Sequence, residues 1–164
     1  MARATHAVTP DELAVPVLVG LDGSTAVARQ ATGQPIPAPI RARGLLDTCS
    51  NVTAVAASVL QQLAISPANT AKTTTAAGPV SVRLCRVSLS ILGPPPAGGF
   101  VHTEPALLVS ELPAVLPDAD VLIGLDVLLT GKLLLDGPPR LFTLDFARLR
   151  GSRPARGACY GTVS

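Results

Sequence analysis

Asp47 ends an apolar run, Gly44-Leu45-Leu46, and is followed by Thr48, Cys49, Ser50 and Asn51. An ionised carboxylate at the end of a buried-looking strand is not core filler, because an isolated charge is strongly disfavoured in apolar surroundings. It requires either a partner or a chemical role. The other acids lack this setting. Asp22 lies in Leu-Asp-Gly-Ser, Asp126 in Gly-Leu-Asp-Val, and Asp136 and Asp145 flank the last pair of apolar runs. None of these follows an apolar strand with Thr and a small residue after it. Two other chemistries find less support. Nothing in the sequence places Cys49 beside His102 as nucleophile and base. His6, His102 and the scattered carboxylates show no metal-ligand spacing, so no metal is expected.

The elements around Asp47 read as short strands. Residues 1–10 read as a flexible leader. Val15 to Gly20 reads as a strand, Leu21-Asp22-Gly23-Ser24 as a hairpin turn, and Thr25 to Arg29 as the return strand. After a Pro-rich connection over Gly33 to Pro39, Ile40 to Leu46 is the strand that delivers Asp47. Thr53 is placed to cap a helix over Ala54 to Leu63, where Val55, Val59, Leu60 and Leu63 form an apolar stripe of helical period. Lys72 to Pro79 is small and polar. It leads into a long alternating strand with Val80, Val82 and Leu84 on one parity and Val87, Leu89 and Ile91 on the other. The change of phase at Cys85-Arg86 implies a bulge or bend. Gly93 to Gly99 reads as a surface loop and Pro105 to Leu112 as a strand. Val121 to Leu129 reads as a buried strand breaking at Gly124 into a short helix. Lys132 to Leu135 and Leu141 to Phe146, joined by Asp136-Gly137-Pro138-Pro139, form a closing hairpin.

Bulk composition agrees with many short strands. The 164 residues suffice for one domain with a sizeable core. Hydrophobic residues make up 48% but aromatics only 2%, so Leu, Val, Ile and Ala must build that core. With 16 Pro and 14 Gly the chain is heavily punctuated. At least seven short strands with one or two short helices predict an all-β fold, closed or sandwiched. The net charge is only +2, partly from Arg148, Arg150, Arg153 and Arg156. Without a basic face interleaved with aromatics, nucleic acid is not an expected partner. Residues 148–164 read as a basic, disordered tail. Cys49, Cys85 and Cys159 are widely spaced and form no CxxC pair, which argues against a zinc site or a disulfide framework. No stretch reaches the length of a membrane span, and the expected location is the cytoplasm.

Three pieces occur in a telling order: Leu45-Leu46-Asp47-Thr48-Cys49-Ser50, then Lys72 to Leu92 with a flexible small-residue tip within a hairpin, and Leu122-Ile123-Gly124-Leu125-Asp126 before a short helix. Over Val15 to Phe146 this order resembles the retropepsin-like aspartic proteases, the retroviral enzymes and their single-domain bacterial relatives, most closely the bacterial ones. The resemblance implies a domain over residues 11–147 with a closed β-barrel of acid-protease type, one lobe per chain. It implies that Asp47 is catalytic, with Thr48, Cys49 and Ser50 supporting its loop. Thr75, Ala76, Ala77 and Gly78 would form a flap over the substrate, and Ile123 and Gly124 would pack under the loop. The chemistry needs no cofactor: of two carboxylates sharing one proton, one takes a proton from water and the other donates to the peptide carbonyl. This chain supplies one such loop, so the pair must come from Asp47 of two chains in a symmetric homodimer acting on polypeptides. Thr48 would hydrogen-bond across the two-fold axis.

The sequence departs from the family at three positions. Cys49 stands where Gly is usual, and a positive φ there would strain the loop by about 1–3 kcal/mol. Retroviral members pair an Asp shortly after the loop with an Arg in the third piece. Here Asn51 and Leu125 stand instead, so the dimer must be held differently. Cys49 leaves two functional expectations open: an aspartic endopeptidase, or a catalytically impaired dimer of the same fold that binds extended peptides.

Overall fold

Valines at every second position close the centre of the molecule. Strand β2 (Ala14–Leu21) buries Val15, Val17 and Val19 on one face, the period-two pattern of a strand half turned to a core. It is hydrogen-bonded on both edges, to β3 (Ile40–Leu46) and to β6 (Gly78–Leu92), both antiparallel. From β3 the ring continues through β8 (Val121–Ile123), β4 (Ala54–Val55) and β7 (Phe100–Glu111) back to β6. The result is a closed six-stranded β-barrel in a mainly β fold with three short helices. Strand β5 (Asn69–Thr75) pairs with β6 and extends outward as a hairpin. This computed structural model describes residues 2–8, 12–75, 78–94, 99–112 and 116–146.

A second sheet of three antiparallel strands, ordered β1 (Ala2–Ala7), β10 (Leu141–Phe146) and β9 (Gly131–Asp136), adjoins the barrel. Its inner face contributes Ala4, Phe142, Leu144 and Phe146 to the same core as the barrel valines. The chain has three phenylalanines, and two of them are buried here.

The strands delivering Asp47 and preceding Gly124 fall where their apolar runs predict. The long strand β6 also falls as predicted, and its pairing with β7 slips between Val87 and Leu89, close to the expected change of phase. Four expectations are corrected. Residues 2–7 are not a leader: Ala2 to Ala7 pairs in register with Phe146 to Leu141, and Ala4 and His6 are buried. The short alternation in Ala-Arg-Ala-Thr-His-Ala is satisfied by an edge that only the end of the chain supplies. Asp22-Gly23 opens not a hairpin but helix α1 (Gly23–Ala31), with Asp22 as its N-cap. The Asp22 carboxylate accepts from the amides of Ser24 and Thr25 at 3.0 and 3.2 Å, and from both their hydroxyls. Burial pushes this carboxyl up, but those hydrogen bonds together hold it below its ordinary value. Thr53 caps no helix, because Ala54–Val55 is strand β4 and helix α2 (Ala57–Gln62) starts from Ala56 without a side-chain cap. Strand β7 begins at Phe100, earlier than the expected Pro105. The basic segment 148–164 lies outside the described residues.

Candidate active site

Strand β3 carries Asp47 out of the barrel between two neighbours that fix its path. The Leu46 amide donates to the Leu13 carbonyl and the Asp47 amide to the Ile123 carbonyl, both at 2.9 Å. Beneath the strand, a Cβ on Gly44 would stand 2.9 Å from Ile123 Cδ1 and 3.0 Å from Val17 Cγ1, so only glycine lets the two pack so closely. Beyond Asp47 the chain turns. The Asp47 carboxylate is half-buried and organises that turn itself. Its Oδ1 accepts from the Cys49 amide at 2.9 Å, and its Oδ2 from the Ser50 hydroxyl at 2.7 Å. A carboxylate offers about four lone-pair positions. Each oxygen therefore keeps capacity for water or a second acid.

Thr48 and Cys49 sit exposed on the turn, and the Cys49 thiol is free. Among the described residues the non-glycine positions with positive φ are Ala64 and Arg140. Cys49 is not one of them, so the loop holds a side chain there without left-handed strain.

The other wall is the segment that follows β8. Gly124 lies so close to the loop that a Cβ would meet the Val52 carbonyl carbon at 2.7 Å and the Thr53 amide at 2.9 Å. The two segments are then stitched together. Leu125 N donates to the Ser50 carbonyl at 2.8 Å and Asp126 N to the Asn51 carbonyl at 3.2 Å. Thr53, fully buried, donates its amide and hydroxyl to the two oxygens of Asp126 at 2.9 and 2.7 Å, while its hydroxyl accepts from Gly124 N at 3.0 Å. Asp126 Oδ1 also accepts from Val127 N at 3.0 Å, within the first turn of the short helix α3 (Leu125–Leu128), whose N-cap is Gly124. Sequence reasoning missed this clamp. A signal existed: an acid inside Gly-Leu-Asp-Val-Leu-Leu faces the same desolvation cost as Asp47 and needs donors.

The structure thus joins Asp47, Cys49, Ser50, Ile123 and Gly124 at one place. Thr75 and Gly78 lie instead on the β5–β6 hairpin, facing each other across its end, and Gly78 takes a φ of 111°. Ala76 and Ala77 lie outside the described residues. The Asp22 carboxylate is held by Ser24 and Thr25, and the Asp126 carboxylate by Thr53 and Val127. A cleft of about 560 Å³ lies elsewhere, lined by Glu12, Arg43 and residues 116–120. Among the described residues no cluster of three or more His, Cys, Asp or Glu could hold a metal, and no helix is long and apolar enough to cross a membrane.

No protein-family model matches this sequence, and no curated protein matches it. Among solved structures it is similar to a retropepsin-like aspartic protease from Rickettsia conorii. The likeness spans 88% of this chain and 91% of that chain, with a TM-score of 0.56 and 14% identity. What the two share at that identity is the fold, and the fold of this chain is that of a retropepsin-like aspartic protease.

Proposed function

We propose that this chain is one half of an aspartic endopeptidase, with Asp47 of two copies forming the catalytic pair. The observation that carries the reading is the Asp47 carboxylate itself. It is half-buried at the end of a barrel strand and oriented by the Cys49 amide and the Ser50 hydroxyl, on a retropepsin-like fold. In the reaction, the ionised Asp47 of one copy takes a proton from water as the water oxygen attacks the peptide carbonyl carbon. The protonated Asp47 of the other copy donates to the carbonyl oxygen. The tetrahedral intermediate collapses as the first Asp47 passes the proton it took from water to the amide nitrogen, the second takes the proton of one hydroxyl, and the C–N bond breaks. Ser50 holds one carboxylate oxygen in place throughout. Thr48 hydrogen-bonds to its counterpart across the two-fold axis, and the β5–β6 hairpin with Thr75 to Gly78 is the flap that covers an extended peptide. Ile123 and Gly124 form the floor of the loop.

The negative φ at Cys49 supports an active enzyme over a peptide-binding relic, since the exchange of Gly for Cys strains no backbone. The test is cleavage of a peptide library at several pH values by wild type and Asp47→Asn. Cleavage by wild type that Asp47→Asn abolishes is the expected result. A wild-type dimer that cleaves nothing at any pH overturns the reading.

A further inference from the structure

Between β2 and β3 the chain makes a long detour that adds nothing to the core. From Gly23 to Pro39 no residue is buried, helix α1 included. Polar ties hold the detour instead. Asp22 caps α1, and the Arg29 guanidinium donates to the carbonyls of Leu63, Ala64 and Pro35, the last at 3.3 Å. The Gln34 amide donates to the Arg29 carbonyl at 2.9 Å. At the other end Pro39 lies over Gly20, where an added Cβ would stand 3.4 Å from Pro39 Cγ. The connection is thus held at both ends while its largest apolar side chain, Ile36, is 51% exposed.

The sequence of the connection dictates its conformation. Gln34-Pro35-Ile36-Pro37-Ala38-Pro39 alternates proline with residues that precede proline. Proline fixes φ at about −65°, and the residue before it is pushed to extended backbone. All six residues are therefore confined to polyproline II, and the stretch contains no helix, strand or turn. Such a helix repeats every three residues. Pro37 and Ile40 are accordingly half-buried against the body, whereas Pro35 with Ala38, and Ile36 with Pro39, form two exposed ridges. Each ridge spaces its side chains by one turn, about 9 Å. Among the described residues nothing donates to the carbonyls of Ile36 or Pro37. Arg41, exposed two residues after Pro39, adds a positive charge at one end, and the sequence holds no acid from Ser24 to Arg43.

We propose that residues 35–41 are the docking site for a folded domain with an aromatic-lined groove and an acid at one end, the chemistry by which SH3-type domains read polyproline II. The groove takes the dipeptides Pro35-Ile36 and Ala38-Pro39, the spacer Pro37 stays against the body, and the acid meets Arg41. Because the connection is already ordered, docking costs little conformational entropy. The connection enters β3 at Ile40 and Asp47 follows the strand's other end, about 20 Å away, so a docked domain leaves the Asp47 loop uncovered. Docking here is independent of peptide hydrolysis at Asp47.

The test is a titration of the isotope-labelled full chain, followed by amide shifts. The probe is a purified SH3 domain whose groove takes arginine at the carboxyl end of its ligand. The expected result is shifts confined to the amides of Gln34, Ile36, Ala38, Ile40 and Arg41, saturating below about 1 mM. Arg41→Glu weakens binding by about tenfold or more, and Ile36→Asp abolishes it, with thermal melts checking that both variants stay folded. Ile36→Pro, which puts a proline in the second place of each dipeptide, tightens binding by about threefold or more. A probe that moves none of these amides, or moves them equally in wild type and Ile36→Asp, overturns the proposal. Without the probe, shifts at the same amides that depend on the concentration of the chain would show a second copy on the ridges. Shifts there on removal of residues 147–164 would show the chain's own end on them. Either result also overturns the proposal.

Discussion

The Thr53 hydroxyl donates to Asp126 Oδ1 at 2.7 Å and accepts from the Gly124 amide at 3.0 Å, so one buried side chain ties the loop carrying Asp47 to the segment beneath it. Thr53→Val keeps the shape and removes both hydrogen bonds, leaving the Gly124 amide and a carboxylate oxygen short of partners. The expected loss is about 1–3 kcal/mol of stability, read from urea midpoints. Asp126→Ala strands both Thr53 donors and falls at the upper end of that range or beyond it, whereas Asp126→Asn keeps one acceptor and falls below it. In each variant peptide cleavage drops further than stability alone requires, because the same clamp sets the height of Asp47. Equal stability in Thr53→Val and wild type would remove the clamp from the account.

Gly124→Ala tests the contact from the other side. Its φ of −85° is open to any residue, so the constraint is space alone. An added methyl would press on Val52 and Thr53 backbone atoms at 2.7 to 2.9 Å, and backbone cannot turn aside as a side chain can. Overpacking of this kind costs about 1–3 kcal/mol or more. The measurement is the melting temperature together with cleavage rate. Gly137→Ala, with open space around it, serves as the control and changes neither.

How far the sequence told this in advance depends on whether a residue's partner lay nearby in the chain. Asp47 was legible because an acid closing an apolar strand is conspicuous on its own, and Gly124 because it breaks a buried run. Thr53 was read as a helix cap since Thr before an apolar stripe suits that position. Its actual partners, Asp126 and Gly124, lie more than seventy positions away. Strand β1 was missed for the same reason: Ala-Arg-Ala-Thr-His-Ala has weak strand propensity and is held by β10, at the far end of the described chain. Asp22-Gly23 misled in another way. The same two residues favour a tight turn and an N-cap; here Asp22 caps the helix, and Arg29 from its last turn donates to the distant carbonyls of Leu63 and Ala64.

Cys49→Gly separates backbone strain from side-chain crowding. With no positive φ to relieve, glycine adds only freedom to the unfolded chain, and stability falls by about 0.5–1 kcal/mol rather than rising. Cys49→Ala stays within a few tenths of wild type. Cleavage by Cys49→Gly within a few-fold of wild type is the expected outcome. A rise in stability on Cys49→Gly, measured by urea unfolding, would show that the loop carries strain after all.

His6 gives the fold an acid limit. Its ring stacks on Phe142 at 5.2 Å between centroids, its Nε2 is buried without a hydrogen-bond partner, and burial pushes its pKa below the ordinary 6.5. No nearby charge contributes to that shift; desolvation alone causes it. The unfolded chain therefore binds a proton at His6 at a higher pH than the folded chain does. Stability is fully present above the unfolded value and declines as pH falls through 6.5 towards the lowered folded value, below which the effect levels off. Because His6 holds β1 to β10, the strand pair should loosen first, seen as faster amide exchange in residues 2–7 at pH 5 than at pH 7.5 after correction for intrinsic rates. His6→Phe removes the titrating group and keeps the stack, so its urea midpoint should vary less across that interval than that of wild type. An equal pH dependence in the two proteins would assign the acid limit to the carboxylates. The acid range favoured by a carboxylate pair and the range that spares His6 thus pull in opposite directions, and a working optimum is expected where the two overlap, at mildly acidic pH.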